Sequence, residues 1–194
     1  LINAAMKLEN EKRRAFIGGN IGIPLIPLTK ELTEEDIAVC ELSSFQLMTV
    51  QKPLAYSAVT NLSPNHLDWH TGMDEYIAAK RHIFEGAGAE RLVTNRDCAL
   101  TYEMVQGLDV PLTLFSSKMH DYESIVGDMR GRAVFVRDGS IVCADGKTEK
   151  VMLSVDDILL PGMHNVENYM TAIGLTQDYI TPEIAHCVAC SFGG

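Results

Sequence analysis

RLVTNRDCALTYEMVQGLDVPLTLF, residues 91–115, contains two short apolar runs, Arg91-Leu92-Val93-Thr94 and Pro111-Leu112-Thr113-Leu114-Phe115. A helix-compatible stretch from about Asp97 to Gln106 separates them, so the segment reads strand, helix, strand. The same rhythm extends outward. Upstream lie Ala15-Phe16-Ile17, stopped by Gly18-Gly19, then Ile37-Ala38-Val39-Cys40-Glu41-Leu42, Ser57-Ala58-Val59-Thr60, and a helix from Asp74 to Glu85. Near-continuous apolar runs alternating with helices predict an α/β fold with a mostly parallel sheet flanked by helices. Downstream the rhythm changes. Three runs between Arg132 and Leu153 are separated by Asp138-Gly139 and Asp145-Gly146, a hairpin signal that predicts a small antiparallel three-stranded meander over about 132–153. Two helices then close the chain, about Asn165–Gln177 and Pro182–Cys190, the second with Thr181 as cap.

Composition narrows the function classes. The 194 residues are 46% hydrophobic and 22% charged, enough for one sizeable core and unlike a disordered or collagen-like chain. A formal charge of −10 disfavours non-specific binding of polyanions, nucleic acid included. By segment the charge is +3 over 1–30, −6 over 31–80, −2 over 81–150 and −5 over 151–194, and the last segment has no Lys or Arg. No run approaches the roughly 20 apolar residues of a membrane span, and Leu1-Ile2-Asn3-Ala4-Ala5 lacks signal-peptide character, so the expected location is cytoplasmic. The chain opens on Leu1 in what reads as mid-helix and stops at a linker-like Ser191-Phe192-Gly193-Gly194, the pattern of a fragment. Five scattered cysteines are expected to be reduced thiols. His186-Cys187-x-x-Cys190 has a spacing that suits a metal, but with no second ligand pair it also suits neighbouring positions on a closing helix.

Several residues carry possible chemistry, each with a plainer alternative. Gly18-Gly19-Asn20-Ile21-Gly22 after a strand suits backbone approach to a phosphate, and equally an ordinary tight turn; it is not a Walker A loop. Glu41 ends an apolar strand where ligands of open α/β sheets bind, and reads either as a magnesium ligand or as the cap of the next helix. Asn61 to His70 brings Asn, His and Asp to the same sheet edge, with His66 either a ligand or a surface residue. Lys80, flanked by alanines, is either an exposed helix lysine or an amine with a depressed pKa, able to react with carbon dioxide to form a carbamate.

Taken together, GGNIG at 18–22, ELSSFQL at 41–47, TNLSPNHLDWH at 60–70, YIAAK at 76–80 and PGMHNVEN at 161–168 resemble the Mur ligases along essentially the whole chain. The ELSSFQL string is most similar to the members that add D-glutamate to UDP-N-acetylmuramoyl-L-alanine, ahead of other Mur ligases and folylpolyglutamate synthases. The resemblance implies an ATP-dependent amide-forming ligase of peptidoglycan precursor synthesis, working through an acyl phosphate with two magnesium ions. It implies that residues 1–194 are the central ATP-binding domain, a three-layer Rossmann-like mononucleotide-binding fold, with the phosphate-loop strand, a UDP-binding N-terminal domain and an amino-acid-binding C-terminal domain outside it. By motif, Asn20 resembles the contact to the UDP-muramoyl substrate, and Glu41 the ligand of the magnesium beside the γ-phosphate. His66 resembles the ligand of the second magnesium near the acyl phosphate, and Lys80 the carbamylated lysine that shares it. Asn165 and Asn168 resemble the asparagines facing the nucleotide, with His164 as a helper or a cap. Two other classes stand beside this one: a non-catalytic nucleotide- or protein-binding module on the same scaffold, and a metal-dependent hydrolase using Glu41, His66 and Asp68.

Overall fold

The computed structural model describes residues 1–8, 14–64 and 70–194. Ala15–Gly19 (β1) and Ile37–Glu41 (β2) pair in parallel as a two-stranded sheet. A six-stranded sheet follows in chain order: Tyr56–Val59 (β3), Arg91–Asn95 (β4), Leu112–Ser116 (β5), Gly131–Arg137 (β6), Ser140–Ala144 (β7) and Glu149–Ser154 (β8). β3 to β6 run parallel, and β6 to β8 form the antiparallel meander. Its first turn is built by Asp138 and Gly139, both at positive φ (50° and 73°), the backbone a tight hairpin requires.

The sequence reading sets the Glu41 strand beside the strand ending at Thr60. The structure instead pairs β2 with β1 alone among the described strands. The reason lies in side-chain cover. Every residue of β4 and β5 is buried, as in parallel strands covered on both faces. In the small sheet Ile17 and Val39 stay 69% and 41% exposed, so no comparable apolar burial joins it to the larger one.

The helices are Ile2–Leu8 (α1), Ser44–Leu47 (α2), Met73–Arg81 (α3), Ala99–Met104 (α4), Tyr122–Val126 (α5), Met163–Thr176 (α6) and Pro182–Ala189 (α7). Strand alternation sorts them into two layers. Leu92 and Leu114 face Leu47, Tyr76, Phe84, Met104 and Ile125, the α2 to α5 side. Val93 and Phe115 face Ala5, Met170, Ile173 and Ile184, the side of α1, α6 and α7. Each fully buried Leu, Ile or Phe here contributes about 1.5–3 kcal/mol. Gly174 lets α6 lie close on the sheet, because a Cβ there would stand 3.0 Å from Val93 Cγ1 and 3.3 Å from Thr113 Cγ2. The last turn of α6 also explains why β4 opens with a buried arginine. Arg91 donates to the Leu175 carbonyl at 3.4 Å and pairs with Asp178, which takes Arg132 as well.

The start of one helix differs from the sequence reading, and two short helices are absent from it. The helix expected from Asp97 starts at Ala99, because the Asp97 carboxylate accepts hydrogen bonds at the end of β5 rather than entering the helix. α2 and α5, four and five residues long, are too short to display a helical period, though each carries a cap: Ser43 with Gln46, and Asp121 accepting from the Ser124 N–H. Thr181 caps α7 as expected.

Candidate functional site

Asn20 and Glu41 meet at the carboxyl ends of β1 and β2. The strands run in register with Gly19 opposite Glu41, and the Asn20 N–H donates to the Glu41 carbonyl at 2.7 Å. Gly19 has φ +123°, and a Cβ there would lie 2.2 Å from the Glu41 oxygen, so only glycine allows this approach. Both Asn20 and Glu41 are exposed.

The choice left open for Glu41 is decided by its neighbour. Ser43 caps α2: its hydroxyl accepts from the Gln46 N–H while the Gln46 side chain accepts from the Ser43 N–H. Glu41 is therefore not the cap, and its carboxylate makes no hydrogen bond or ion pair with another described residue, which leaves its oxygens open to a cation.

α2 fixes Glu41 relative to α3. His70, 4% exposed, sits 2.9 Å through Nε2 from the Ser44 hydroxyl, stacks on Phe45 with ring planes 1° apart, and meets Tyr76 at 5.4 Å. His82 Nδ1 contacts the Leu47 carbonyl at 2.8 Å. On α3, half-buried Lys80 holds its Nζ 5.8 Å from the Tyr76 ring centroid. Burial pushes the Lys80 amine below the usual lysine range, and the negative charge of Glu41 opposes that shift. The structure thus places Glu41 and Lys80 within electrostatic reach of one another. His66 and Asp68 fall at 65–69, outside the described residues.

Asn165 and Asn168 sit on the first turns of α6, whose N-cap, Gly162, offers no side chain to the free N–H groups. The half-buried Asn165 amide is engaged locally, donating to the Pro161 carbonyl at 2.8 Å and lying 3.1 Å from His164 Nε2. Asn168 is exposed, 3.5 Å from the Asn165 amide oxygen. His164 therefore braces Asn165 rather than capping the helix.

Sequence reasoning missed the polar network beside this helix. The Asp97 carboxylate accepts from the Ser116 hydroxyl (2.6 Å), the Ser117 N–H (2.8 Å) and the Ser117 hydroxyl (3.3 Å). That last hydroxyl also lies 2.7 Å from Glu167 Oε1, between the two asparagines on α6. Asn95 donates to Asn61 at 3.0 Å and joins the ends of β3 and β4. The available signal was the pair of polar strand ends, Asn95-Arg96-Asp97 and Ser116-Ser117, at the edge where α/β sheets bind ligands.

Residues 4–176 match the Mur ligase middle domain. The chain belongs to the Mur ligase family. Among curated Mur ligase relatives, the UDP-N-acetylmuramoylalanine--D-glutamate ligases of Acetivibrio thermocellus and Clostridium botulinum are 38% and 40% identical over 188 residues, 96% of this chain. That of Clostridium novyi is 41% identical over the same length. The chain spans 38% of the length of these relatives. A solved structure of UDP-N-acetylmuramoyl-L-alanyl-D-glutamate--2,6-diaminopimelate ligase shares the fold, with a TM-score of 0.63 at 16% identity, over 100% of this chain and 43% of that one. The span matched by the Mur ligase middle domain contains Asn20, Glu41, Lys80, Asn165 and Asn168.

Proposed function

We propose that this chain is the ATP- and magnesium-handling part of a cytoplasmic ligase that joins D-glutamate to UDP-N-acetylmuramoyl-L-alanine. The reading is carried by one juxtaposition, the open carboxylate of Glu41 beside the desolvated amine of Lys80, in a chain 38–41% identical to relatives named for that reaction. In the proposed reaction the substrate carboxylate takes the γ-phosphoryl group of ATP and ADP leaves. The D-glutamate amine then attacks the acyl carbon, phosphate departs, and an amide remains.

The residues fit this work. An exposed carboxylate with no hydrogen bond or ion pair among the described residues suits a hard divalent ion, so Glu41 would hold magnesium; when bound, magnesium neutralises charge on phosphate oxygens. Lys80 joins such a site only after losing its positive charge. Its burial raises the fraction of neutral amine, which forms an N–C bond to carbon dioxide, releases a proton and presents carboxylate-like oxygens. His66 enters as a second ligand on the sequence resemblance. Asn20 is assigned to the muramoyl substrate, and Asn168, with Asn165 held by His164, to the adenine edge, where an amide both donates and accepts.

The test is phosphate release by the whole protein containing this chain. Release should require ATP, UDP-N-acetylmuramoyl-L-alanine and D-glutamate together. Lys80→Ala should lower it by at least about 100-fold, with partial rescue by a short carboxylate such as acetate. Nucleotide binding without D-glutamate-dependent release would replace this reading with the binding module, and divalent-dependent hydrolysis without amide formation would replace it with the hydrolase.

A further inference from the structure

A second ligand constellation lies on elements that carry none of the residues above. Asp157 ends a short 3-10 turn, Val155–Asp157, directly after β8, and His186 and Cys190 lie one helical turn apart at the carboxyl end of α7. His186 Nδ1 is 2.9 Å from Asp157 Oδ2, and the Cys190 sulfur is 3.8 Å from both imidazole nitrogens. One donor atom from each residue falls within 4.8 Å of the other two. The scaffold beneath is fixed: Ile184, Ala185 and Ala189 of α7 are buried with Met152 and Leu153 of β8.

We propose that Asp157, His186 and Cys190 form a three-ligand site for a borderline-soft divalent cation of the zinc class. Geometry supports it. Typical zinc bond lengths and tetrahedral angles put nitrogen and sulfur ligands about 3.6 Å apart, and nitrogen and oxygen ligands about 3.4 Å apart. The observed 2.9 Å has to widen by about 0.5 Å, as when a metal replaces the proton between His186 and Asp157, and the 3.8 Å has to close by about 0.2 Å. Charge supports it as well. A carboxylate, a thiolate and a neutral imidazole together balance a divalent ion. The site closes a helix at its negative end, within a 44-residue segment that has five carboxylates and no Lys or Arg.

Titration of the chain with Co²⁺, anaerobically and in a non-thiol reductant, reads the site through thiolate-to-metal charge-transfer absorption. One equivalent should bind, Zn²⁺ should displace it, and affinity should fall as pH drops because a proton is released on binding. Cys190→Ser should abolish the charge-transfer band, and His186→Ala should weaken binding at least about tenfold. Cys187→Ser should leave the band unchanged. The ligand residues, half-buried or exposed, can be replaced without opening the core, and far-UV circular dichroism checks that each variant folds. Absence of a band at stoichiometric cobalt, or a band that survives Cys190→Ser, overturns the proposal. Neither result bears on ligation at Glu41 and Lys80.

Discussion

Replacing Asp97 by alanine probes how the ligand edge of the sheet is held together. Ser116 is fully buried; its hydroxyl donates to Asp97 at 2.6 Å while its oxygen accepts from the N–H groups of Lys118 (3.1 Å) and Met119 (2.8 Å). Without the carboxylate, that hydroxyl proton has no acceptor among the described residues, a loss of about 1–3 kcal/mol for a buried donor. The Ser117 N–H is half-buried, so water replaces part of its 2.8 Å bond and the loss there is about 0.5–1 kcal/mol. The expected destabilisation is therefore about 2–4 kcal/mol. In urea denaturation with a slope of about 2 kcal/mol/M, this lowers the midpoint by about 1–2 M with the slope unchanged. Adding Ser116→Ala removes the orphaned donor but also the acceptor of the Lys118 and Met119 N–H groups, so the double variant should lose less than the sum of the two single variants by at least about 1 kcal/mol, a coupling between the two positions. A shift below about 0.5 kcal/mol, or strictly additive single and double variants, would refute the assignment of Asp97 as the clamp between β4, β5 and, through Ser117 and Glu167, the first turns of α6.

Gly19→Ala forces a side chain into the 2.2 Å gap before the Glu41 oxygen at a positive φ. It should accelerate amide exchange at Asn20 at least about tenfold by breaking the hydrogen bond to Glu41, and unchanged exchange would refute the close approach. Cys143 titrates far above the usual thiol range, pushed up to about 12 by burial. Its folded-state proton is held more tightly than in the unfolded chain, so stability is full below about pH 8.5 and falls by roughly 1.4 kcal/mol per unit as pH rises from there toward 12. Cys143→Ala should flatten that alkaline decline in urea midpoints measured between about pH 8 and 10; parallel curves would show that Cys143 is not its source.

The sequence made the strands and long helices legible wherever burial imposes a pattern over many residues. β4 and β5 read as uniform apolar runs because both faces are covered, and Asp138-Gly139 announced the first turn of the meander through its positive φ values. Contacts between distant segments left no such trace. That β2 stands apart from β3 depends on which side chains find cover, and that His70 is buried depends on Ser44 and Phe45, roughly 25 residues earlier. At the site, Asn20, Glu41, Lys80, Asn165 and Asn168 were legible as residue types at strand and helix ends. The Asp97 clamp was not, because a carboxylate ahead of a helix looks like a cap until the fold brings Ser116 and Ser117 to it. The choice of cap for α2 was decidable in principle, since Ser43-x-x-Gln46 is a capping-box spacing that frees Glu41 from that role.

The charge distribution makes a final demand on the proposed chemistry. On the proposed reading a chain of net charge −10 binds polyphosphate, although five of its sixteen Lys and Arg residues are already held in ion pairs. Arg14, Arg81 and Arg137 are paired with Asp36, Glu85 and Glu149, and Arg91 and Arg132 share Asp178. Lys80, the lysine beside Glu41, is desolvated and on the proposed reading loses its charge altogether. The phosphate partners that the proposed reading supplies are backbone N–H groups and the metal that Glu41 would hold. Nucleotide affinity of the whole protein should therefore depend on magnesium more than on arginine contacts. ATP binding measured by calorimetry should weaken at least about tenfold when magnesium is chelated, and the loss should shrink in Glu41→Gln, which removes the carboxylate assigned to the ion. Equal affinity with and without magnesium would break the proposed link between Glu41 and the nucleotide, and with it the proposal for how so acidic a chain would hold ATP.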